Sequence, residues 1–277
     1  MFNEHAVSDH YAHGELLSSI EAALGKLGKT VNTVSIDDLG PVDEFHIGGR
    51  LATENFLSKL NFAEQDHILD VGCGLGGAAR FVARKYNAKV TGIDLTHEYI
   101  QTGNALSVWV GLEKQITLRH GNALAMSFKE NTFNGAYMLH VGMNIADKNR
   151  LFSEINRLLK PGSIIGIYDI MRNLEGDLTY PVPWASGHHT NKLATPEQYT
   201  QALNSAGFNV TGETNCRDWA LNFFKQLQAK IAANGDPPPL GLHTLMKEST
   251  PVKLKNMLDG IAADYIIPVE IIAQKQK

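Results

Sequence analysis

The chain has 277 residues, of which 43% are hydrophobic and 19% charged, and its formal net charge is −4 at neutral pH. This length and composition are sufficient for one α/β domain with a sizeable core, and we treat residues 1–277 as one domain. The weakly acidic balance, with no run of basic residues, argues against nucleic acid as a partner.

The cysteines and the first residues favour a cytoplasmic protein. Cys73 and Cys216 are the two cysteines of the sequence, and neither belongs to a C-x-x-C pair. We therefore expect no disulfide framework and no metal site. The segment from Met1 to His10 has neither a basic start nor an apolar run, so no signal peptide is predicted. No stretch is apolar for long enough to predict a membrane span.

The first 60 residues are predicted to form a helical cover. Apolar residues recur with a 3.6-residue period between Val7 and Leu27, which predicts one long helix. A second helix is predicted over Leu51–Leu60, after a pair of glycines.

From residue 67 onward, predicted strands and helices alternate. The strands are Ile68–Val71, Lys89–Ile93, Ile116–Arg119, Gly135–Leu139 and Ile164–Tyr168. The helices are Gly77–Tyr86, Thr96–Val110 and Lys148–Leu159, the last ended by the turn Lys160-Pro-Gly-Ser163. Such alternation indicates a parallel sheet that is covered by helices on both faces.

Beyond the fifth strand the alternation is interrupted twice, by residues 174–194 and 215–262. The elements predicted after the fifth strand are helices at Pro196–Ala206, Arg217–Ala233 and Val252–Ala262, and strands at Phe208–Glu213 and Asp264–Gln274. Both interruptions contain tryptophan, so we expect helical lid insertions over a small-molecule site.

The most specific motif is the glycine turn that follows the first predicted strand. Gly72, Gly74 and Gly77 satisfy the G-x-G-x-x-G pattern, so a dinucleotide site is formally possible, as is a turn that serves packing alone. Asp70 argues against a dinucleotide, because a carboxylate would repel its pyrophosphate. It would instead accept a hydrogen bond from a cationic amino group. S-adenosylmethionine has such a group, and the two hydroxyls of its ribose suit Asp94 at the end of the next strand.

The ordered motifs Asp70-Val-Gly-Cys-Gly-Leu-Gly76, Asp94-Leu-Thr96, Gly121-Asn-Ala123 and Leu158-Leu-Lys-Pro-Gly162 resemble those of the class I S-adenosylmethionine-dependent methyltransferases. The resemblance implies a Rossmann-like α/β fold with seven strands. It also implies that the last strand is antiparallel and lies between the fifth and sixth. Three further segments are similar to a small-molecule subgroup that includes sarcosine/dimethylglycine N-methyltransferase-like proteins: Asp43–Arg50, Met138–Asn144 and Pro181–Ala185.

The resemblance implies a set of cofactor-binding residues: Asp70, Gly72, Gly74, Gly76, Asp94, Leu95, Asn122 and Ala123. Asn122 stands where the family often has Asp, and its amide carbonyl can still accept from the adenine amino group. Arg50 is a candidate for a bidentate contact with the cofactor carboxylate, the alternative being a surface helix residue.

His140, just after the fourth strand, is the candidate catalytic residue. It would act as general base or orient the acceptor, whereas the alternative is packing against the cofactor. Tyr11 could close over the methyl group or be a half-buried core residue. The remaining candidate acceptor contacts are Asn144, Trp184, His188 and Trp219.

Together these features predict transfer of a methyl group to a small molecule, with an amine as the preferred acceptor. The alternatives are O- or C-methylation of a phenolic, quinone or prenyl metabolite. A nicotinamide-dependent oxidoreductase and a cofactor-binding protein without catalysis are less favoured. The sequence leaves the oligomeric state open.

Overall fold

A computed structural model describes residues 14–234 and 238–277. Its strands are β1 (His67–Val71), β2 (Lys89–Asp94), β3 (Ile116–His120), β4 (Phe133–Leu139), β5 (Leu159–Arg172), β6 (Phe208–Asn215) and β7 (Ile266–Lys275). In the described part of the chain they form one seven-stranded sheet of order β3-β2-β1-β4-β5-β7-β6. Strand β7 is antiparallel to both β5 and β6, and the other paired strands are parallel. The predicted fold class is confirmed.

Helices cover both faces of this sheet. They are α1 (Leu16–Lys26), α2 (Ile36–Asp43), α3 (Gly49–Leu57), α4 (Gly77–Tyr86), α5 (His97–Trp109), α6 (Lys148–Leu158), α7 (Pro196–Ser205), α8 (Arg217–Asn234), α9 (Leu242–Met246) and α10 (Thr250–Ala262). Ile68 of β1 is buried in a core with Phe56 and Val82, whereas its neighbour Leu69 is buried in a second core with Phe152. Successive residues of a strand point to opposite faces, so β1 is apolar on both.

The N-terminal segment differs from its prediction in two places. Among the described residues the first helix begins at Leu16, and Gly14 has φ = +83°, which a helix cannot accommodate, so the prediction of one continuous helix is wrong at that point. Residues 7–13 of the predicted helix lie outside the described residues. Helix α2 was not predicted. It begins with a capping box, in which Ser35 and Asp38 each bond the other's backbone amide. The predicted Leu51–Leu60 helix corresponds to α3 and a following 3₁₀ turn.

The Lys160-Pro-Gly turn lies inside β5 instead of preceding it. Helix α6 does end at Leu158, but the strand begins at once: Leu159 pairs with Phe133, and the next registered pair is Ile164 with Gly135. The turn is therefore a bulge at the start of the strand.

The two interruptions differ from each other in structure. Residues 174–194 contain no helix, so the predicted helical insertion is wrong there; the segment is irregular apart from one bridge between Val182 and Ala185. Residues 215–262 do carry helices, namely α8, α9 and α10. No helix among the described residues combines the length and apolar character needed to cross a bilayer.

Candidate functional site

A cavity of about 1350 Å³ opens where β1, β2 and β4 end. We divide its wall into two parts. The strand-end half comprises residues 43–50 and the residues that follow β1, β2, β3 and β4. The helical half comprises the lining residues between 223 and 259. Strands β2 and β4 flank β1, so the strand-end half lies where the strand order reverses, which is the usual ligand site of such sheets.

The glycine turn lines the cavity through Gly72 and Gly74. Its amides are already engaged: those of Gly72 and Cys73 donate to the Ile93 carbonyl at 2.8 and 2.9 Å, and that of Gly74 donates to Asp94 at 2.9 Å. A pyrophosphate would need free amide donors here, so this arrangement disfavours a dinucleotide.

Two of these glycines have conformational requirements. At Gly72 (φ = +72°), a Cβ would lie 2.3 Å from the Val141 side chain, so the turn can approach the segment after β4 only without a side chain. Gly76 (φ = +80°) precedes α4 and packs against Leu118. It does not line the cavity, unlike the other predicted cofactor-binding glycines.

Asp70 is buried and faces the cavity from β1. The hydroxyl of Tyr137, the residue opposite it on β4, donates to Asp70 Oδ2 at 2.9 Å. Burial raises the pKa of Asp70 to about 7, although the Tyr137 hydrogen bond lowers it. A cationic ligand group would favour the ionised form of this carboxyl.

Asp94 lies at the end of β2, also on the cavity wall. Its Oδ2 accepts from the Gly74 amide and its Oδ1 from the Thr96 amide, at 2.9 and 2.8 Å. Each carboxylate oxygen has a second lone pair, so Asp94 can hold the turn in place and still accept from ligand hydroxyls.

Leu95, Asn122 and Ala123 line the same side of the cavity. The Asn122 Oδ1 accepts from the Leu124 amide at 2.8 Å, which fixes the side chain in a turn. These three residues, which the resemblance assigns to the cofactor, are therefore brought together.

Arg50 is only partly exposed, and it lies on the cavity wall. Its Nε lies 2.5 Å from Glu44 Oε1, an ion-pair contact that lacks the alignment of a hydrogen bond. Its Nη2 is buried without a hydrogen-bond partner. A buried, unpaired donor is costly, so Nη2 is well suited to a ligand carboxylate.

Segment 43–50 is held against helix α4 by a buried ion pair. Arg80 Nη2 of α4 donates to Asp43 Oδ2 at 2.6 Å and to the Leu75 carbonyl at 2.7 Å. Burial and the neighbouring Asp43 raise the pKa of Glu44. The Thr53 hydroxyl donates to Glu44, so its proton is not available to His46.

His140 follows β4 with φ = +55°, in the left-handed region that a side chain rarely adopts. Its ring lies on the cavity wall, and Nε2 is buried without a hydrogen-bond partner. Burial, and then the neighbouring His46, lower the pKa of His140 well below its usual value, so the imidazole is neutral. The rings of His140 and Tyr168 lie 5.0 Å apart between centroids.

The turn that carries His140 is held by Asp169 of β5. This buried carboxylate accepts from the amides of Val141 and Gly142, at 2.7 and 3.0 Å, and from the Tyr199 hydroxyl at 2.9 Å. Burial raises the pKa of Asp169 to about 7. Asp169 does not line the cavity, so it supports the turn from behind.

The candidate acceptor contacts fall into two groups. Asn144 and Trp184 line the cavity, and Asn144 Nδ2 donates to the Trp184 carbonyl at 2.7 Å. His188 and Trp219 do not line the cavity. His188 is exposed and packs on Tyr180, and Trp219 stacks on the lining residue Phe223. Tyr11 lies outside the described residues.

Three residues near the site were not singled out from the sequence: Glu44, His46 and Asp169. The first two belong to the segment Asp43–Arg50, whose similarity to the small-molecule subgroup was a usable signal. The sequence carries no such signal for Asp169, because an acidic residue inside an apolar strand does not reveal which backbone amides it will contact.

The strand-end half is acidic. Four acidic residues line it, namely Asp43, Glu44, Asp70 and Asp94, and the basic residue Arg50 lies beside them. This balance favours a ligand that carries positive charge and one carboxylate. Among the described residues there is no cluster of three or more His, Cys, Asp or Glu side chains that could hold a metal ion.

Residues 69–167, from β1 to β5, match the family described as "Methyltransferase domain". This segment of the chain is therefore a methyltransferase domain. The matched range includes the glycine turn, Asp70, Asp94, Asn122 and His140, so most of the strand-end half belongs to it.

Individual relatives of this methyltransferase domain vary in acceptor. A sterol 24-C-methyltransferase of Yarrowia lipolytica is 29% identical over 164 residues, covering 57% of this chain and 43% of that protein. The O-methyltransferase resE of Aspergillus sclerotiorum is 26% identical over 197 residues, covering 70% of this chain and 74% of that protein. The chain spans about half the length of the first curated relatives it matches, 50% and 43%.

The whole fold is also similar to solved methyltransferase structures. Phosphoethanolamine N-methyltransferase 2 of Haemonchus contortus, solved with S-adenosyl-L-methionine, superposes with a TM-score of 0.71 at 20% identity. The match covers 94% of this chain and 57% of that one.

Proposed function

We propose that this protein transfers a methyl group from S-adenosylmethionine to a small-molecule acceptor. The observation that carries the proposal is the placement of Asp70 and Asp94 at the ends of adjacent parallel strands, facing one cavity. Asp70 would accept from the cofactor's amino group, and Asp94 from its ribose hydroxyls. The unpaired Arg50 Nη2 would donate to its carboxylate.

The adenine would lie against Leu95, Asn122 and Ala123, which line the cavity beyond Asp94. The amino group, ribose, carboxylate and adenine of S-adenosylmethionine would thus each have a complementary protein group along one wall of the cavity. When bound, S-adenosylmethionine supplies the methyl group from its sulfonium and loses its positive charge. The contribution of the protein is mainly alignment of the acceptor, which is worth about 7–11 kcal/mol in favourable intramolecular reactions.

His140 is the residue that we propose to orient the acceptor and take its proton. His140 lines the cavity, and its neutral, unpaired Nε2 is available to accept a hydrogen bond from a hydroxyl or an amine once the ring turns toward the acceptor. Protonation gives the imidazole a positive charge as the sulfonium loses its own. The net buried charge is therefore unchanged, which offsets the low pKa of His140 in the unliganded protein.

We also propose that residues 174–194 and 215–262 form a lid. Trp184 of the first segment and Phe223 of the second both border the cavity. Closure of these segments would exclude water from the site, and it would exclude nucleic acid and large proteins by size. The helices α1, α2 and α3 would cover the remaining side, as the predicted N-terminal cover.

The acceptor atom remains a prediction. The sequence favoured an amine, with oxygen or carbon as the alternative, and the relatives named above include methyltransferases of all three kinds. A proton-accepting His140 is compatible with oxygen, because a hydroxyl must lose its proton to be methylated, and with nitrogen, because a protonated amine must lose a proton to expose its lone pair.

Calorimetric titration tests the cofactor, and an activity assay tests the reaction. We expect S-adenosylmethionine and its demethylated product to bind and NAD to give no heat. Methyl release over a metabolite panel should then fall about 100-fold or more in His140→Ala, the usual contribution of a positioned base, with cofactor affinity unchanged. Binding of NAD, or unchanged turnover in His140→Ala, would contradict the corresponding part of the proposal.

A further inference from the structure

The cavity is larger than one ligand requires. Its volume of about 1350 Å³ exceeds the roughly 300–1,000 Å³ that is usual for a small-molecule pocket. The strand-end half already provides a partner for each part of S-adenosylmethionine. The helical half, between residues 223 and 259, is therefore space for a second molecule.

The inner wall of the helical half is apolar. Phe224, Leu240 and Met257 are buried there, and Phe223, Leu254 and Leu258 are half-buried beside them. Such a surface favours hydrocarbon over polar groups, because burying apolar area removes it from water.

The charged residues of the helical half lie at its rim and balance one another. Lys247, Glu248, Lys255 and Asp259 are all exposed, and Lys255 Nζ lies 2.5 Å from Asp259 Oδ2. Among the described residues that line this half, none is a buried lysine or arginine that could neutralise a phosphate. The buried carboxylates that could attract an ammonium are all in the strand-end half.

Resting on the proposed function, we infer that the acceptor is an uncharged molecule with an extended hydrocarbon body, of the size and polarity of a prenyl alcohol or larger. The body lies in the helical half, and the one polar atom that receives the methyl group reaches His140. A zwitterionic amino acid or a quaternary ammonium would leave its charge unpaired against this wall, which is costly.

Leu227 offers a specific test, because it lines the helical half and yet is 37% exposed. A charge can therefore be introduced there without disrupting the core. Leu27 is a matched control: it is 44% exposed and does not line the cavity. The experiment measures, by calorimetry, binding to protein that is saturated with S-adenosylhomocysteine. The probes are farnesol and geranylgeraniol, and choline and dimethylglycine serve as charged comparisons.

We expect both alcohols to bind and both charged compounds to give no heat. Leu227→Asp should weaken alcohol binding by about tenfold or more, and Ile231→Gln, one turn further along α8, should weaken it less. Leu27→Asp should bind like the wild type, and all variants should bind S-adenosylhomocysteine equally. Binding of choline or dimethylglycine, no binding of either alcohol, or equal binding by Leu227→Asp would overturn the inference. Failure of S-adenosylhomocysteine itself to bind would instead refute the proposed function.

Discussion

Tyr137 and Asp70 form a hydrogen-bonded pair across two neighbouring parallel strands, with the phenolic hydroxyl 2.9 Å from Asp70 Oδ2. Both side chains are buried, and Asp70 also faces the cavity. The tyrosine therefore orients the carboxylate while leaving it accessible to a ligand. It also supplies part of the stabilisation that an ionised carboxyl needs at a buried site.

Replacing Asp70 should weaken binding of S-adenosylmethionine. A hydrogen bond to a charged group contributes about 1.5–3 kcal/mol, so Asp70→Ala should raise the dissociation constant by a corresponding factor. Calorimetric titration measures this directly. The control is Glu113→Gln, which removes an exposed carboxylate that does not line the cavity. Equal affinity of Asp70→Ala and the wild type would contradict the assignment.

Binding should also depend on pH, because Asp70 must be ionised to accept from a cationic amino group. Burial raises the pKa of Asp70 to about 7 from an ordinary 3.8. Affinity for S-adenosylhomocysteine should therefore increase as the pH rises from 6 to 8, and binding near pH 7 should release protons. Calorimetry in two buffers of different ionisation enthalpy counts these protons.

Two controls separate Asp70 from the other buried carboxyls of the cavity, Glu44 and Asp94, whose pKa values are also raised by burial. In Asp70→Asn the pH dependence should become shallower. In Tyr137→Phe its midpoint should move upward, because the lost hydrogen bond lowers the pKa of Asp70 in the wild type.

The unliganded wild type should lose stability as the pH rises from about 4 to 7, since a raised carboxyl pKa means that the folded state binds the proton more tightly.

Asp94→Asn should reduce affinity for S-adenosylmethionine and for its demethylated product to the same degree, because the ribose is common to both. In the wild type the two carboxylate oxygens of Asp94 also accept from the backbone amides of Gly74 and Thr96. The asparagine side chain of Asp94→Asn would turn its NH₂ donor toward one of these backbone amides. Thermal unfolding should be recorded beside calorimetry to separate this loss of stability. A change for one ligand alone would contradict the ribose role.

Asp169→Asn should destabilise the protein and slow turnover without affecting cofactor binding. At least one buried donor loses its charged acceptor, which costs about 1–3 kcal/mol. Tyr199→Phe removes a donor and leaves the two backbone bonds to Asp169, so it should cost less. Urea unfolding measures the stability. A lower kcat with unchanged affinity for S-adenosylhomocysteine would show that the turn carrying His140 had moved. Equal stability of Asp169→Asn and the wild type would contradict this account.

Limited trypsin digestion should detect closure of the lid. Cleavage at Lys192, Lys225 and Lys230 should slow when S-adenosylhomocysteine and an acceptor analogue are bound, because these sites lie in the two lid segments. Lys114 serves as the control site, since it lies in the loop before β3, at the edge of the sheet away from the cavity. Slower cleavage at Lys114 with no change at the other three would mean that the segments do not close.

The sequence by itself determined the central sheet and the meeting of Asp70, Asp94 and the glycine turn at one edge of it. Alternating strand and helix patterns require right-handed parallel crossovers, so residues that follow β1 and β2 must meet at one edge. Asp70, Asp94 and the glycines could therefore be placed together without coordinates. These are consequences of local periodicity and chain topology, which short segments encode.

Only the tertiary structure decided which side chains complete the cavity. Trp219 and Phe223 lie one helical turn apart on α8 and stack on each other, yet Phe223 lines the cavity and Trp219 does not. That difference depends on the rotation of α8 against Gly48, where a Cβ would lie 2.2 Å from the Trp219 ring. Glu44 likewise lines the cavity, and Asp169 likewise supports the turn that carries His140, through contacts between segments distant in the chain, and no local pattern specifies such contacts.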